Sequence, residues 1–180
     1  MSDGDRGGAA PKQWRGRFFE DFEVGDVYRS RLGRTISEVD NTWFTALTMN
    51  TNQVHFNQAF AQQTRFGRML VNSCLTLALV TGLSVPDTSE NGTANLAWDD
   101  IKLPNPVFVG DTLFAESEIT ALRESGSNPS VGIVSLRTRG VNQDGVVVIE
   151  YRRTFMCYRR GAPEASIAGG FPAIDADWTV

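Results

Sequence analysis

The chain has 180 residues, a length that suits one domain with some spare sequence better than two domains. Hydrophobic residues make up 41% and charged residues 21%, values that exclude extensive disorder, a coiled coil and a collagen-like repeat. The 17 basic and 21 acidic residues give a net charge of -4, so no overall positive charge favours nucleic acid or an anionic membrane as a partner.

The two ends of the chain are predicted to be tails. Residues 1–17 begin with acidic residues and glycine where a secretory signal has an apolar core, and residues 161–180 are rich in Ala, Gly and Pro. We therefore expect a single domain at 18–160. Cys74 and Cys157 lie in apolar stretches without a CxxC pair, which predicts buried, reduced thiols in a cytoplasmic protein.

The first half of the domain predicts short strands and one amphipathic helix. A short strand is expected at residues 27–34, after a Gly-Asp turn. Ser37 and Asp40 have the spacing of a capping box, so a helix should begin there. Apolar residues then recur at helical spacing along one face, which we expect to pack against a partner. They are Val39, Trp43, Phe44 and Leu47.

A polar loop and a buried helix follow. Residues 48–55 lack apolar periodicity and are rich in side chains that bond their own backbone, which predicts a loop. Asn57 should cap a short helix, and Gly67 marks a turn. From residue 73 to 83 apolar residues cover nearly every face, which predicts a helix enclosed by protein on all sides.

The second half of the domain is almost entirely strand. Period-two alternation bounded by Gly, Pro and Asn predicts four strands, and the Asp144-Gly145 pair is a strong hairpin signal. The strands are expected at 94–103, 112–124, 131–141 and 146–158. Because the connections are short, the sheet should be largely antiparallel and should cover the buried helix, an α+β arrangement.

His55 is the only histidine, and imidazole is the side chain that most readily gains and loses a proton near neutral pH. It lies in the polar loop before the buried helix, where spacing alone leaves two interpretations open: a capping or surface residue, or a catalytic base. The sequence contains no dinucleotide, P-loop or zinc-protease motif, so neither a metal nor a cofactor is expected.

Four segments together resemble the MaoC-type dehydratases, which include the R-specific enoyl-CoA hydratases of the hot-dog fold. They are the run at 19–26, the loop ending in His55, the turn at Phe66 and Gly67, and the sequence PVFVGDTL at 106–113. The resemblance covers about 18–160. It implies a long central helix wrapped by an antiparallel sheet, an acyl-CoA thioester substrate, and a homodimer, higher homo-oligomer or heteromer with the acyl-CoA tunnel at the subunit interface.

The catalytic loop of that family reads GDxNPxH, in which the aspartate and histidine hold the water that adds across a 2-enoyl thioester. Here residues 49–55 read MNTNQVH. Asn52 and His55 match the pattern, whereas Asn50 stands in place of the aspartate and Gln53 in place of the proline. The resemblance thus implies His55 as the base and Asn50 as a group that orients water without accepting its proton.

Further site residues are expected at the start of the buried helix and on a strand. Amides around Asn72 and Ser73 are expected to polarise the thioester oxygen, although Ser73 could equally be an ordinary N-cap. Cations for the CoA phosphates or a distal carboxylate are available near the pocket. An apolar strand carries an aromatic residue and two carboxylates, for which two interpretations stay open: alternation allows one to point inward, or both are solvated. These residues are Arg65, Arg68, Trp98, Asp99 and Asp100.

We therefore predict a hydratase or dehydratase acting on a short 2-enoyl-CoA. A subgroup with Met-Asn-Thr in the loop and Val-Asn-Ser at the head of the central helix resembles hydratases of branched dicarboxylic thioesters such as itaconyl- or mesaconyl-CoA, and this chain has both sequences. An acyl-CoA thioesterase and a non-catalytic subunit of a heteromeric dehydratase are the alternatives. Asn50 favours the second of these.

Overall fold

The computed structural model describes residues 14–163 and residue 165. Most of the two segments expected as tails therefore lies outside the described residues. The strands are β1 (Val27–Arg29), β2 (Arg34–Thr35), β3 (Gly92–Lys102), β4 (Thr112–Glu124), β5 (Val131–Val141) and β6 (Val147–Tyr158). The helices are α1 (Glu38–Leu47), α2 (Gln58–Gln62) and α3 (Ser73–Thr88), with 3-10 turns at Phe19–Asp21 and Gln53–His55.

The six strands form one antiparallel sheet in the order β1-β4-β5-β6-β3, and β2 pairs with the other end of β4. Short connections join β4 to β5 and β5 to β6, and each of these consecutive pairs is antiparallel and adjacent in the sheet. Gly145, at φ 75°, makes the predicted turn between β5 and β6 with the left-handed backbone that glycine adopts at little cost. The antiparallel sheet, the four long strands and the α+β class are confirmed.

Helix α3 lies across the inner face of the sheet and forms the main core with it. Leu75 and Val80 are buried against β4 and β6, together with Leu113 and Ile149. Gly140 on β5 permits this close approach, since a Cβ there would lie 2.5 Å from a methyl group of Val80. The long helix against an antiparallel sheet is the predicted hot-dog arrangement.

The expectation that α3 is enclosed by protein on all sides is wrong, because the sheet covers the helix on one side only. The opposite side is exposed at four residues that share one helical face: Cys74, Ala78, Gly82 and Pro86. These four residues made the helix look apolar on every side, but their small side chains expose little apolar surface, so this face does not need to be buried. Cys74 is therefore exposed rather than buried, whereas Cys157 is fully buried as predicted. Burial raises the pKa of the Cys157 thiol to about 12.

Helix α1 begins at the predicted capping box but is rotated relative to the expected apolar side. Ser37 caps the helix and exchanges hydrogen bonds with Asp40. The apolar stripe of Val39, Trp43 and Leu47 is exposed by 64 to 71%. The buried side instead carries the polar residues Asn41 and Thr45. Of the four apolar residues expected to pack, Phe44 lies against the core, whereas the stripe of Val39, Trp43 and Leu47 has no partner among the described residues.

Strand β3 is an edge strand and is exposed along almost its whole length. Its apolar residues Leu96, Trp98 and Ile101 each keep more than 40% of their surface in solvent. An unpaired edge of 11 residues with exposed apolar side chains is unusual for an isolated chain. No helix among the described residues is long and apolar enough to span a bilayer.

The end of the segment expected as an N-terminal tail lies against the far end of α3. The Trp14 indole donates a hydrogen bond to the Pro86 carbonyl, and Arg17 pairs with Asp87 at 3.2 Å. Asn91, buried just before β3, donates from its amide to the carbonyls of Arg15 and Arg17. These contacts are remote in the fold from the start of α3.

Candidate functional site

The loop between α1 and α2 is shaped by asparagine side chains that bond the backbone two residues ahead. Asn50 Oδ1 accepts from the Asn52 backbone N–H at 3.0 Å, and Asn52 Oδ1 accepts from Val54 at 3.3 Å. Met49 adopts a left-handed backbone at φ 54°, which reverses the chain after α1. The predicted polar loop therefore ends in a 3-10 turn at Gln53–His55.

This turn buries His55, which keeps only 7% of its surface exposed. Its ring nitrogen Nδ1 lies 2.9 Å from the backbone carbonyl oxygen of Leu70. Because a carbonyl can only accept, Nδ1 must carry the hydrogen, and the neutral ring then presents a free lone pair at Nε2. The contact thus fixes the tautomer that allows Nε2 to accept a proton.

Asn41 on α1 is a buried residue of this site that the sequence reading missed. Its amide donates to the carbonyl oxygens of His55 at 2.7 Å and Leu70 at 3.1 Å, and its Oδ1 accepts from the Asn72 backbone N–H at 2.9 Å. Asn41 is completely buried. The sequence does contain an indication of this role, because Asn41 and Thr45 are four residues apart and form a polar stripe on α1. The apolar residues of the helix instead predicted that the opposite side is buried.

The start of α3 lies beside the His55 loop. Asn72 is the N-cap, with Oδ1 accepting from the Cys74 N–H at 3.0 Å, so the cap is Asn72 rather than Ser73. The Asn72 amide also donates to the Thr45 hydroxyl at 3.3 Å. Ser73 is the first helical residue and is exposed. The first N–H groups and the positive end of the helix dipole face this region.

A cavity of about 260 Å³ opens at the start of α3. Leu70, which accepts from the His55 ring, contributes to its wall, although His55 itself does not line it. The lining residues are Arg65, Phe66, Leu70, Val71, Ser73, Thr76, Leu103, Pro104, Asn105, Pro106 and Val107. Apolar walls with one cation and a helix start suit a thioester with an anionic group at one end.

The structure separates the two arginines that the sequence placed near the pocket. Arg65 lines the cavity with Ser73, and its guanidinium lies 4.9 Å from the centre of the Phe66 ring. Arg68 is exposed and stacks 3.7 Å above the Phe108 ring, outside the cavity lining. Only Arg65 is therefore positioned to meet a ligand in this cavity.

The strand candidates lie away from the cavity. Asp99 is exposed and stands opposite Arg152 in the β3–β6 register, and Trp98 lies on the same edge strand. Asp100, in a bulge at φ 51°, is also exposed, and hydrogen bonds from Lys102 and Arg152 lower the pKa of its carboxyl group. Both aspartates are thus exposed to solvent, which is one of the two interpretations that the sequence left open, and the bulge disrupts the alternation that would have turned one of them inward.

A larger cleft of about 840 Å³ lies elsewhere, on the outer face of the sheet. It is lined mostly by charged side chains that pair across neighbouring strands, including Arg29 with Glu116 and Arg137 with Glu118. Of the predicted site residues, Asp100 alone lines this cleft. Within the described part of the chain, no group of three His, Cys, Asp or Glu side chains is placed to hold a metal.

Comparisons with known proteins agree with this arrangement. The profile of the mesaconyl-CoA hydratase family matches residues 7–177. The mesaconyl-CoA hydratase of Cereibacter sphaeroides is 35% identical over 159 residues, covering 88% of this chain and 46% of that protein. The (R)-specific enoyl-CoA hydratase of Aeromonas caviae is 33% identical over 130 residues, covering 72% of this chain and 91% of that protein.

A solved structure, the MaoC-like dehydratase from Rhodospirillum rubrum, matches with a TM-score of 0.71 at 26% identity and covers 81% of this chain and 99% of that one. The chain spans about half the length of the mesaconyl-CoA hydratases that it matches. The predicted MaoC-type resemblance is confirmed, and the profile match over nearly the whole sequence shows that the chain belongs to the mesaconyl-CoA hydratase family.

Proposed function

We propose that this protein is a hydro-lyase that adds water to, or removes it from, the double bond of a short 2-enoyl-CoA. The observation that carries the proposal is the His55 ring, which is buried, held through Nδ1 by the Leu70 carbonyl, and therefore free to act as a base at Nε2. Family membership and the 33% identity to an enoyl-CoA hydratase over 91% of its length support the same chemistry.

In the hydration direction, Nε2 of His55 accepts a proton from water as the water oxygen bonds to C3 of the enoyl group. The C2–C3 π electrons move toward the thioester, whose oxygen becomes an enolate. Delivery of a proton from the imidazolium to C2 completes the addition of one water molecule and regenerates the neutral ring. Dehydration follows the same steps in reverse.

The negative charge on the enolate oxygen is stabilised best by hydrogen-bond donors that are already in position before the reaction begins. The N–H groups at the start of α3, around Ser73, meet this need because they border the cavity and carry the positive end of the helix dipole. Asn72 supports their placement as the N-cap. We assign thioester polarisation to this helix start.

Asn50 takes the place of the aspartate in the catalytic loop. Its amide can hold a water molecule but cannot accept the proton, so His55 acts as the only base in the loop. Asn52 contributes by shaping the 3-10 turn that carries His55, through its bond to the Val54 N–H. We propose that the amide slows the reaction relative to an aspartate without abolishing it.

For the substrate we propose a branched or dicarboxylic acyl group of the mesaconyl- or itaconyl-CoA type. The support is the mesaconyl-CoA hydratase profile and the placement of Arg65 in the wall of an otherwise largely apolar cavity. A guanidinium can pair with a distal carboxylate or a CoA phosphate through two parallel hydrogen bonds. Arg68, Asp99 and Trp98 are weaker candidates for binding because they lie outside this wall.

We further propose that the working form contains a second copy of the chain. More than half of the mesaconyl-CoA hydratase of Cereibacter sphaeroides lies outside the match, and we propose that a second copy of this chain takes the place of that additional sequence. The free edge of β3 and the exposed stripe of α1, formed by Val39, Trp43 and Leu47, are the surfaces available for it. A cytoplasmic location stays a prediction from the sequence.

Two other functions can be distinguished from hydration. Thioester hydrolysis in this fold usually employs a carboxylate near the central helix, and no Asp or Glu lines the described cavity beside Ser73. A non-catalytic subunit is favoured by one observation, the amide at Asn50. Such a subunit would bind a catalytic partner chain and would not turn over an enoyl-CoA on its own.

A panel of thioesters tests the proposal. The purified chain is incubated with crotonyl-, mesaconyl- and itaconyl-CoA, and both the enoyl-thioester absorbance and free thiol are followed. We expect absorbance to fall without release of thiol, fastest for a dicarboxylic substrate. Thiol release would instead identify a thioesterase. Inactivity toward every thioester, reversed by a co-expressed homologous chain, would identify a non-catalytic subunit.

A further inference from the structure

We infer that Asn41 is a positioning residue that fixes the orientation of the His55 ring and its distance from the start of α3. This inference rests on the proposed function of His55 as the base. Asn41 belongs to α1, outside the catalytic loop, is completely buried and does not itself line the cavity. Its effect must therefore pass through the groups that it binds.

The three hydrogen bonds of Asn41 reach three different parts of the site. One amide hydrogen bonds the carbonyl of His55 itself, at 2.7 Å. The other bonds the carbonyl of Leu70, the same oxygen that accepts from the His55 ring, at 3.1 Å. The Asn41 carbonyl accepts from the N–H of Asn72, the N-cap of α3.

An asparagine is suited to this position by its donors and acceptor. Its NH2 group offers two donors and its oxygen accepts, so a single side chain satisfies two carbonyls and one N–H. An aspartate of the same shape would place a carboxylate against the carbonyls of His55 and Leu70, and an alanine would leave all three buried groups without this partner. The role is thus specific to the amide at residue 41.

The consequence for catalysis is geometric. The base on the loop and the donors on α3 must lie on either side of one substrate, and productive placement tolerates errors of only about 0.5 Å. Asn41 ties both to one rigid point on α1. Without it, the Leu70 carbonyl is no longer held from two sides, and the ring can exchange between its two neutral forms.

Because the chain contains one histidine, the ring can be observed alone. In untagged protein labelled with ¹⁵N-histidine, NMR reports the tautomer of His55 without any substrate. We expect the neutral wild-type ring to carry its hydrogen on Nδ1. Asn41→Ala should give a mixture of both neutral forms and should lower kcat about 10²-fold with little change in KM, the cost of a misplaced reacting group.

Asn91→Ala is the matched control, since Asn91 is also a buried asparagine whose amide donates to two backbone carbonyls, at the far end of α3. It should lower the thermal midpoint comparably while keeping the wild-type ring signal and kcat. If Asn41→Ala does not fold, Asn41→Asp, which retains the volume and the acceptor for Asn72, replaces it.

The inference requires both the spectral and the kinetic change. A wild-type ring with its hydrogen on Nε2, an Asn41 variant with an unaltered ring signal, or an equal loss of kcat in Asn91→Ala would each overturn it. Inactivity toward every enoyl-CoA would reject the proposed function together with the catalytic part of the inference, whereas the His55 tautomer in the two variants would still show whether Asn41 orients the ring. Conversely, hydratase activity with an unaltered ring in the variant would leave only the role of Asn41 rejected.

Discussion

His55 and Leu70, 15 residues apart in the chain, are joined by a hydrogen bond of 2.9 Å between the ring nitrogen Nδ1 and a backbone carbonyl. A backbone acceptor holds the ring without contributing a charge that would change with pH. It also links the loop after α1 to the segment that leads into α3. The orientation of the base and the position of the helix start are thereby coupled through the main chain.

Replacing His55 by alanine tests the proposed base. Loss of a positioned proton acceptor lowers rates by roughly 10²- to 10⁴-fold, and we expect kcat of His55→Ala to fall within that range. Enoyl-thioester absorbance measures the rate, and circular dichroism checks that the fold is retained. A folded variant with wild-type turnover would remove His55 from the mechanism.

Replacing Asn50 by aspartate tests the departure of the loop from the family pattern. The carboxylate can still accept from the Asn52 N–H, so the turn should persist, while a second proton acceptor is gained. We expect kcat to rise by up to about 10²-fold, the lower end of the effect of one acid or base. Steady-state kinetics at neutral pH measure the change.

The matched control for this substitution is Asn128→Asp. Asn128 Oδ1 accepts from the Ser130 N–H in the same two-residue pattern, in the β4–β5 connection. It introduces the same charge and should leave kcat unaltered. Equal effects of the two variants, or a slower enzyme after Asn50→Asp, would contradict the proposal that the Asn50 amide replaces the catalytic aspartate of the family at a cost in rate.

The fold was largely predictable because period-two alternation and turn residues determine an antiparallel sheet locally. Strands β4 and β5 begin and end at the predicted residues. The orientation of α1 was not predictable in this way, since hydrophobicity alone assigns Trp43 to the buried side. Asn41 is buried instead because three backbone groups satisfy its amide, and those groups come from segments up to 31 residues away.

The site was predictable only in part for the same reason. His55, Asn50 and the start of α3 are identified by spacing and by resemblance to a known loop. The different positions of Arg65 and Arg68 depend on the turn at Gly67, which directs one toward the cavity and the other over Phe108. Asp100 points outward because a bulge disrupts the alternation, and single-sequence patterns do not reveal a bulge.

The two arginines provide a paired test of substrate binding. A charge-assisted hydrogen bond contributes about 1.5–3 kcal/mol, so Arg65→Ala should raise KM for the preferred acyl-CoA by at least about tenfold. Arg68→Ala removes the same charge from a residue outside the cavity lining and should have a much smaller effect. Initial rates over a range of thioester concentrations measure both. A larger effect at Arg68 would place the ligand outside the 260 Å³ cavity.

The free edge of β3 predicts how a second copy would associate. Leu96 is 45% exposed on this strand, and a lysine there should oppose pairing between two edges. We expect light scattering to report twice the mass of one chain for the wild type and a monomer for Leu96→Lys. Val24→Lys, at an exposed apolar residue outside the sheet, is the control and should remain dimeric. A monomeric wild type would reject the proposed assembly.

The capping box of α1 predicts a pH-dependent contribution to stability. The Ser37 hydroxyl and backbone N–H, together with Arg34, hold the pKa of Asp40 below its ordinary value of 3.8. A carboxyl group with a lowered folded-state pKa stabilises the fold above its unfolded pKa, and this contribution is lost as pH falls through the folded value. Asp40→Ala should therefore reduce the free energy of unfolding by about 1 kcal/mol at pH 7.

The difference between wild type and Asp40→Ala should shrink as the pH is lowered through the folded-state pKa of Asp40, because the wild-type carboxylate is then protonated and bonds the Ser37 N–H less strongly. Urea denaturation at neutral and acidic pH measures it. Glu38→Ala is the control, since Glu38 lies in the same helical turn but outside the capping box. An equal loss of stability at both pH values would show that Asp40 contributes through packing rather than through its charge.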